Sequence, residues 1–76
     1  MKMNTNVDLG VLLTEHRQRR GLSLAAASKL IGIANGYLSE LETGKMRNPA
    51  LGVVQKLSKG YGIKAGVWLR VTTTKA

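Results

Sequence analysis

Two absences and two scarcities frame this chain of 76 residues: there is no cysteine and no phenylalanine, and there is a single histidine and a single proline. Without cysteine there is neither a disulfide framework nor a thiolate metal centre. His16 alone cannot build a multi-histidine site, so no metal and no cofactor are expected. Aromatics make up only 4% of the residues, too few for the stacking platforms that bind single-stranded nucleic acid. No apolar run is long enough for a membrane span and no signal-peptide pattern appears, so the chain reads as cytoplasmic with no membrane partner. Acidic residues are scarce as well: four Asp and Glu stand against twelve Lys and Arg, a formal net charge of +8. So basic a surface favours a polyanion as partner. No Ser-His-Asp set, paired carboxylates or glycine-rich phosphate loop is present, which argues against an enzyme.

What is present is a series of short capped segments. Residues 1–7 are polar and aperiodic and read as a flexible N-terminal arm. Asp8 is placed to cap a helix to about residue 20, with Leu9, Leu12, Leu13 and His16 on one inward face and Gly21 as its stop. Ser23 caps a second helix that ends at Gly32. Only Gly32, Ile33 and Ala34 separate it from a third, which starts near Asn35, turns Leu38 and Leu41 inward and stops at Gly44. Two short helices joined by a tight, glycine-containing turn form a helix-turn-helix. Further on, Asn48 is expected as an N-cap with Pro49 at the first helical position. The fourth helix would carry Leu51, Val54, Leu57 and Tyr61 inward and break at Gly60 and Gly62.

The tail admits two readings. Val67, Trp68, Leu69, Val71 and Thr72 favour a strand over roughly 67–74, with a short fifth helix as the other possibility. An isolated strand needs a partner, and a second subunit would supply one. The expected core is Leu9, Leu13, Leu22, Ala27, Ile31, Ile33, Leu38, Leu41, Leu51, Val54, Leu57, Tyr61, Ile63 and Trp68.

The stretch GLSLAAASKLIGIANGYLSELETGKMRNP, from Gly21 to Pro49, resembles the helix-turn-helix of the Cro and phage-repressor (Xre-like) family. Leu22-Ser23, Gly32-Ile33, Tyr37-Leu38-Ser39, Leu41-Glu42 and Gly44-Lys45 carry the likeness, which extends over about residues 9–63. It implies an all-α, lambda-repressor-like domain of four to five short helices over 8–63, followed by a C-terminal dimerisation segment over 64–76.

In such a domain the third helix lies in the major groove. Carried over by position, the residues facing bases would be Asn35, Gly36, Ser39 and Glu40. Asn can bond adenine twice, Glu can accept from cytosine, Ser can serve either kind of base, and Gly would allow close approach. The competing role for Asn35 is a helix cap, and for Glu40 a solvated carboxylate. Phosphate contacts would come from Lys45, Arg47 and Asn48, from Tyr37, and from backbone amides near Ser23, with Arg19, Arg20 and Lys29 as auxiliary contacts or merely solvated charges. Lys56, Lys59 and Lys64 read as solubility charges. Leu24 stands where the family commonly places Gln, so the second helix would anchor through its main chain. By the same resemblance Arg17 and Glu42 would form a structural ion pair, while His16 stands where an apolar residue is usual and reads as structural.

The implied function is sequence-specific binding of double-stranded DNA as a homodimeric transcriptional repressor on a palindromic operator. Its dimer interface is expected at Tyr61, Val67, Trp68, Leu69 and Val71, and so short a chain leaves no room for an effector domain. The alternative is an antitoxin that autoregulates its operon and binds a toxin protein.

Overall fold

The computed structural model describes residues 7–72. Strand β1 (Val7–Asp8) leads into helices α1 (Leu9–Arg19), α2 (Leu24–Ile31), α3 (Asn35–Thr43), α4 (Leu51–Tyr61) and α5 (Ala65–Trp68), and strand β2 (Val71–Thr72) follows. Apart from Val7, the expected arm lies outside the described residues, as does the stretch beyond Thr72.

Local chemistry accounts for most of the boundaries. The Asp8 carboxylate accepts the Val11 N–H at 3.2 Å and Ser23 Oγ accepts that of Ala26 at 3.1 Å, satisfying amides that a helix start leaves unpaired. Gly32 and Gly44 close α2 and α3 with φ of 89° and 88°, where any side chain would be strained. Between them run only three residues, as expected for a helix-turn-helix.

The core gathers Leu9, Leu13, Ala27, Ile31, Leu38, Leu41, Leu57, Tyr61 and Ile63. Packed on it, half-buried, are Leu22, Ile33 and Trp68. Helix α3 packs against both α1 and α2, and α4 packs against α2. Two glycines set how closely these helices approach. A Cβ built on Gly10 would stand 2.5 Å from the carbonyl oxygen of Glu42, so α1 can rest on the α3 backbone only as glycine. One built on Gly60 would stand 3.1 Å from Ile31 Cα, where α4 crosses α2.

Four expectations need correction. Asn48 is not the cap of α4: that helix has Ala50 at its N-cap, without a side-chain cap bond, and begins at Leu51. The Ala50 N–H instead donates to the Tyr37 hydroxyl at 3.4 Å, which holds residues 49–50 in an extended segment against α3. Leu51 is not core but 72% exposed, because it occupies the first turn of α4, ahead of the packed stretch. Gly60 does not break α4, which runs on to Tyr61 and caps at Gly62, since glycine is what the contact with Ile31 requires.

The fourth correction concerns the tail, which is partly helix and partly strand. α5 is a single turn, and β2 pairs in parallel with β1 of the same chain, Val7 opposite Val71 and Asp8 opposite Thr72. The Val7 N–H donates to the Arg70 carbonyl at 2.7 Å. The strand thus finds a partner without a second subunit, because the residues entering α1 lie beside those leaving α5.

Candidate nucleic-acid interface

Helix α3 is held from behind by a guanidinium clamp. Arg17 Nε donates to Glu42 Oε2 at 2.8 Å and Nη2 to Oε1 at 3.1 Å, a bidentate pair linking α1 to α3. Its Nη1 donates to the Leu22 carbonyl at 3.0 Å, so the same side chain grips the turn that enters α2. The Arg17 and Glu42 side chains are 19% and 8% exposed. The Glu42 hydrogen bond holds the Arg17 guanidinium above its already high pKa, keeping it charged. Such a pair adds little net stability, but it fixes orientation.

The other side of α3 is open. At 3.6 residues per turn, positions 35, 36, 39 and 40 share the side opposite Leu38 and Leu41. Asn35, Gly36 and Glu40 are exposed and Ser39 is half-buried. The N-cap of α3 is Ala34, which has no side-chain cap bond, so Asn35 is the first helical residue and its amide does not serve as a cap. A Cβ built on Gly36 would meet nothing within 4 Å, so among the described residues no contact requires glycine there.

The loop after α3 is tied to the helix at several points. The Glu40 carbonyl receives the N–H groups of Gly44 at 3.1 Å and Met46 at 3.0 Å, and Arg47 Nε donates to the Gly44 carbonyl at 3.4 Å. With Tyr37 Oη accepting from Ala50 at 3.4 Å, the far end of the loop that carries Lys45, Arg47 and Asn48 is tied back to α3 at Tyr37. The accepting role leaves the Tyr37 O–H free to donate. Ser23 Oγ accepts the Ala26 N–H at its own helix start, which leaves its O–H, besides the backbone amides there, to donate to a ligand. Arg19 and Lys29 are exposed, and no bond ties either to the α3 set among the described residues.

Several residues do work that the sequence did not disclose. Arg20 is an internal strut: Nη2 donates to the Tyr61 carbonyl at 2.7 Å, Nη1 lies 3.0 Å from His16 Nδ1, and the guanidinium carbon stands 5.1 Å from the centre of the Tyr61 ring. His16 stacks on that ring at 5.2 Å. Lys56 Nζ donates to the Gly32 carbonyl at 3.2 Å, closing the end of α2 where a solvated charge was expected. Tyr61 itself is 1% exposed and belongs to the core, which removes it from the expected dimer interface. Its hydroxyl is buried without a hydrogen-bond partner among the described residues, and burial raises its pKa. Val67, Trp68 and Val71 are half-buried, whereas Leu69 is 88% exposed.

Among the described residues no helix is long and apolar enough to cross a membrane, and no three metal-ligating side chains gather.

The helix-turn-helix family profile matches residues 13–68, a span from mid-α1 through α5. Over 54 residues the chain is 41% identical to the HTH-type transcriptional regulator PuuR of Escherichia coli, covering 71% of this chain and 29% of that protein. A second relative, the HTH-type transcriptional regulator DdrOP3 of Deinococcus deserti, is 45% identical over 51 residues, covering 67% of this chain and 39% of the relative. The chain thus spans about three tenths to two fifths of the length of these curated relatives. No solved structure matches it. The matched span contains the clamp, the three-residue turn and the open side of α3, and the chain belongs to the Cro/phage-repressor (Xre-like) helix-turn-helix family.

Proposed function

We propose that the chain binds double-stranded DNA at a specific sequence, as a homodimeric transcriptional repressor with α3 in the major groove of a palindromic operator. One observation carries the reading: among the described residues no hydrogen bond engages the side chains of Asn35, Ser39 or Glu40, while the opposite face of α3 is locked to α1 and α2. Asn35 has the donor and acceptor to bond adenine, Ser39 and Glu40 can take donors from base edges, and Gly36 lets the helix sink close to the bases. Tyr37 on α3 and Lys45, Arg47 and Asn48 in the loop after it reach phosphate, and the amides at the start of α2 near Ser23 add a helix-terminal anion site. Arg19 and Lys29 are auxiliary phosphate contacts. The names of the relatives, both transcriptional regulators, support this assignment.

Dimerisation falls to the tail, where Leu69 is the exposed apolar residue beside Val67, Trp68 and Val71. Two copies would set their α3 helices about 34 Å apart, one turn of DNA. Repression would follow from occluding polymerase.

Selection of binding sites from a random duplex library, with purified protein at near-physiological salt, tests this reading. An inverted repeat with half-sites about one helical turn apart is the expected result. If about six phosphates are contacted per dimer, the logarithm of affinity falls with the logarithm of salt at a slope near −5. Recovery of unrelated sequences with the same salt slope would reduce the activity to charge-driven, non-specific binding.

A further inference from the structure

One dipeptide of the chain joins a side-chain amide to an uncrowded main-chain nitrogen: Asn35–Gly36, the only Asn-Gly pair in the sequence. Elsewhere Asn48 precedes Pro49, whose nitrogen carries no hydrogen, and Asn4 and Asn6 precede the β-branched Thr5 and Val7. The Asn-Gly pair occupies the first two positions of α3, and both of its residues are exposed.

That position leaves both reacting groups unengaged. The first N–H groups of a helix have no acceptor within it, and Ala34 at the N-cap provides no side-chain acceptor. Among the described residues no hydrogen bond engages the Gly36 N–H or the Asn35 amide. The positive end of the helix dipole favours loss of the Gly36 amide proton. A Cβ built on Gly36 meets nothing within 4 Å, so water has open access to the pair. Attack by Gly36 on the amide requires Asn35 to leave its helical backbone angle. At the first residue of a helix this is fraying, which costs little.

We propose that Asn35–Gly36 is a site of spontaneous modification, at which the base-facing amide becomes a carboxylate. The Gly36 nitrogen gives its proton to hydroxide and attacks Asn35 Cγ. A succinimide ring closes through the new Cγ–N bond as the Cγ–Nδ2 bond breaks and ammonia leaves with a proton from water. A water molecule then opens the ring. Opening at Cγ restores the main chain with an aspartate side chain at position 35. Opening at the main-chain carbonyl leaves an isoaspartate there, whose chain runs on through Cβ and Cγ.

The chemical step depends on the chain alone, and its consequence rests on the DNA reading above. An asparagine amide both donates to and accepts from adenine, whereas a carboxylate has no donor and adds negative charge among phosphates. Recognition then declines as the protein ages, and DNA seated over Asn35 delays the change.

The experiment incubates the full chain at mildly alkaline pH and follows ammonia release, with peptide mass mapping and enzymatic labelling of isoaspartate. Release that quickens as pH rises is expected, with the new carboxylate at position 35. Gly36→Ala crowds the nitrogen and Asn35→Gln lengthens the side chain by one carbon, so each should release ammonia many times more slowly. Release at the wild-type rate from either variant, or a carboxylate mapped to another residue, overturns the proposal. Aged protein, separated from fresh by its charge, should bind the selected duplex about fivefold or more weakly. The same duplex should slow ammonia release from fresh protein. Modification at position 35 with unchanged binding and no protection would uphold the chemical step and overturn base reading by Asn35, so the two failures are told apart.

Discussion

Gly10 rests against the backbone of Glu42, so close that a methyl group on Gly10 would stand 2.5 Å from the Glu42 carbonyl oxygen and 3.2 Å from that of Leu41. Helix α1 thus supports α3 in two ways: Gly10 sets the distance between the two helices, and the bidentate Arg17–Glu42 pair sets the rotation. Both contacts fall behind the helix assigned to the major groove, so the stability of the domain and the aim of α3 depend on the same few residues.

Gly10→Ala tests this coupling. In an ordinary helix interior that change stabilises by about 0.5–1 kcal/mol. Here the added methyl meets backbone rather than a flexible side chain, and overpacking costs about 1–3 kcal/mol. A net loss of stability by urea denaturation, with weaker DNA binding, is expected. A gain in stability would show that α1 and α3 can part at no cost.

Gly36→Ala should behave in the opposite way. A methyl there meets nothing among the described residues, so the variant should gain about 0.5–1 kcal/mol in the same denaturation assay. DNA affinity should nevertheless fall, because the methyl enters the space that α3 leaves for the bases. Unchanged affinity would remove Gly36 from the interface.

The stability of the domain should also depend on His16. Burial, then the charges of Arg20 and Arg19, hold its pKa below the ordinary value of 6.5, against a smaller opposing effect of Glu15. Arg20 offers only donors, so His16 Nδ1 must accept, and the ring proton sits on Nε2. Above about pH 6.5 both folded and unfolded chains are neutral at this residue and it adds no pH dependence. As pH falls below that value the unfolded chain takes up a proton that the folded one resists, so stability declines until the folded pKa is passed. His16→Phe keeps a ring on Tyr61 and should flatten the denaturation midpoint between about pH 7 and pH 5.5, above the range where carboxylates titrate. Equal slopes in the two proteins would mean that His16 does not titrate differently on folding.

What could be read in the sequence was what is decided locally. Asp8, Ser23, Gly32 and Gly44 cap or stop helices through atoms within four residues, and all four stand where spacing placed them. The side of α3 that faces outward also follows from the positions of Leu38 and Leu41. Features decided at a distance were hidden. Asn48 and Pro49 carry a sound local start signal, but the Tyr37 hydroxyl takes the Ala50 N–H and α4 begins later. Gly60 has the composition of a breaker and the job of a packing contact with Ile31. The tail strand could not reveal a partner at the other end of the chain. A signal for Gly10 did exist, for a glycine beside the inward Leu9 of an amphipathic helix costs about 1 kcal/mol relative to alanine, which suggests a close backbone approach.

The central claim is that the open start of α3 reads bases, and Asn35 is the residue on which it turns most directly. Paired site selections with the wild-type chain and with Asn35→Ala, from one random duplex library at one salt concentration, test it. The account predicts an inverted repeat for the wild type, and for the variant the same repeat with preference lost at one position of each half-site, at a cost of roughly 1–3 kcal/mol. An identical motif from both proteins, or a uniform weakening across all sequences, would contradict it and make Asn35 a bystander or a phosphate ligand.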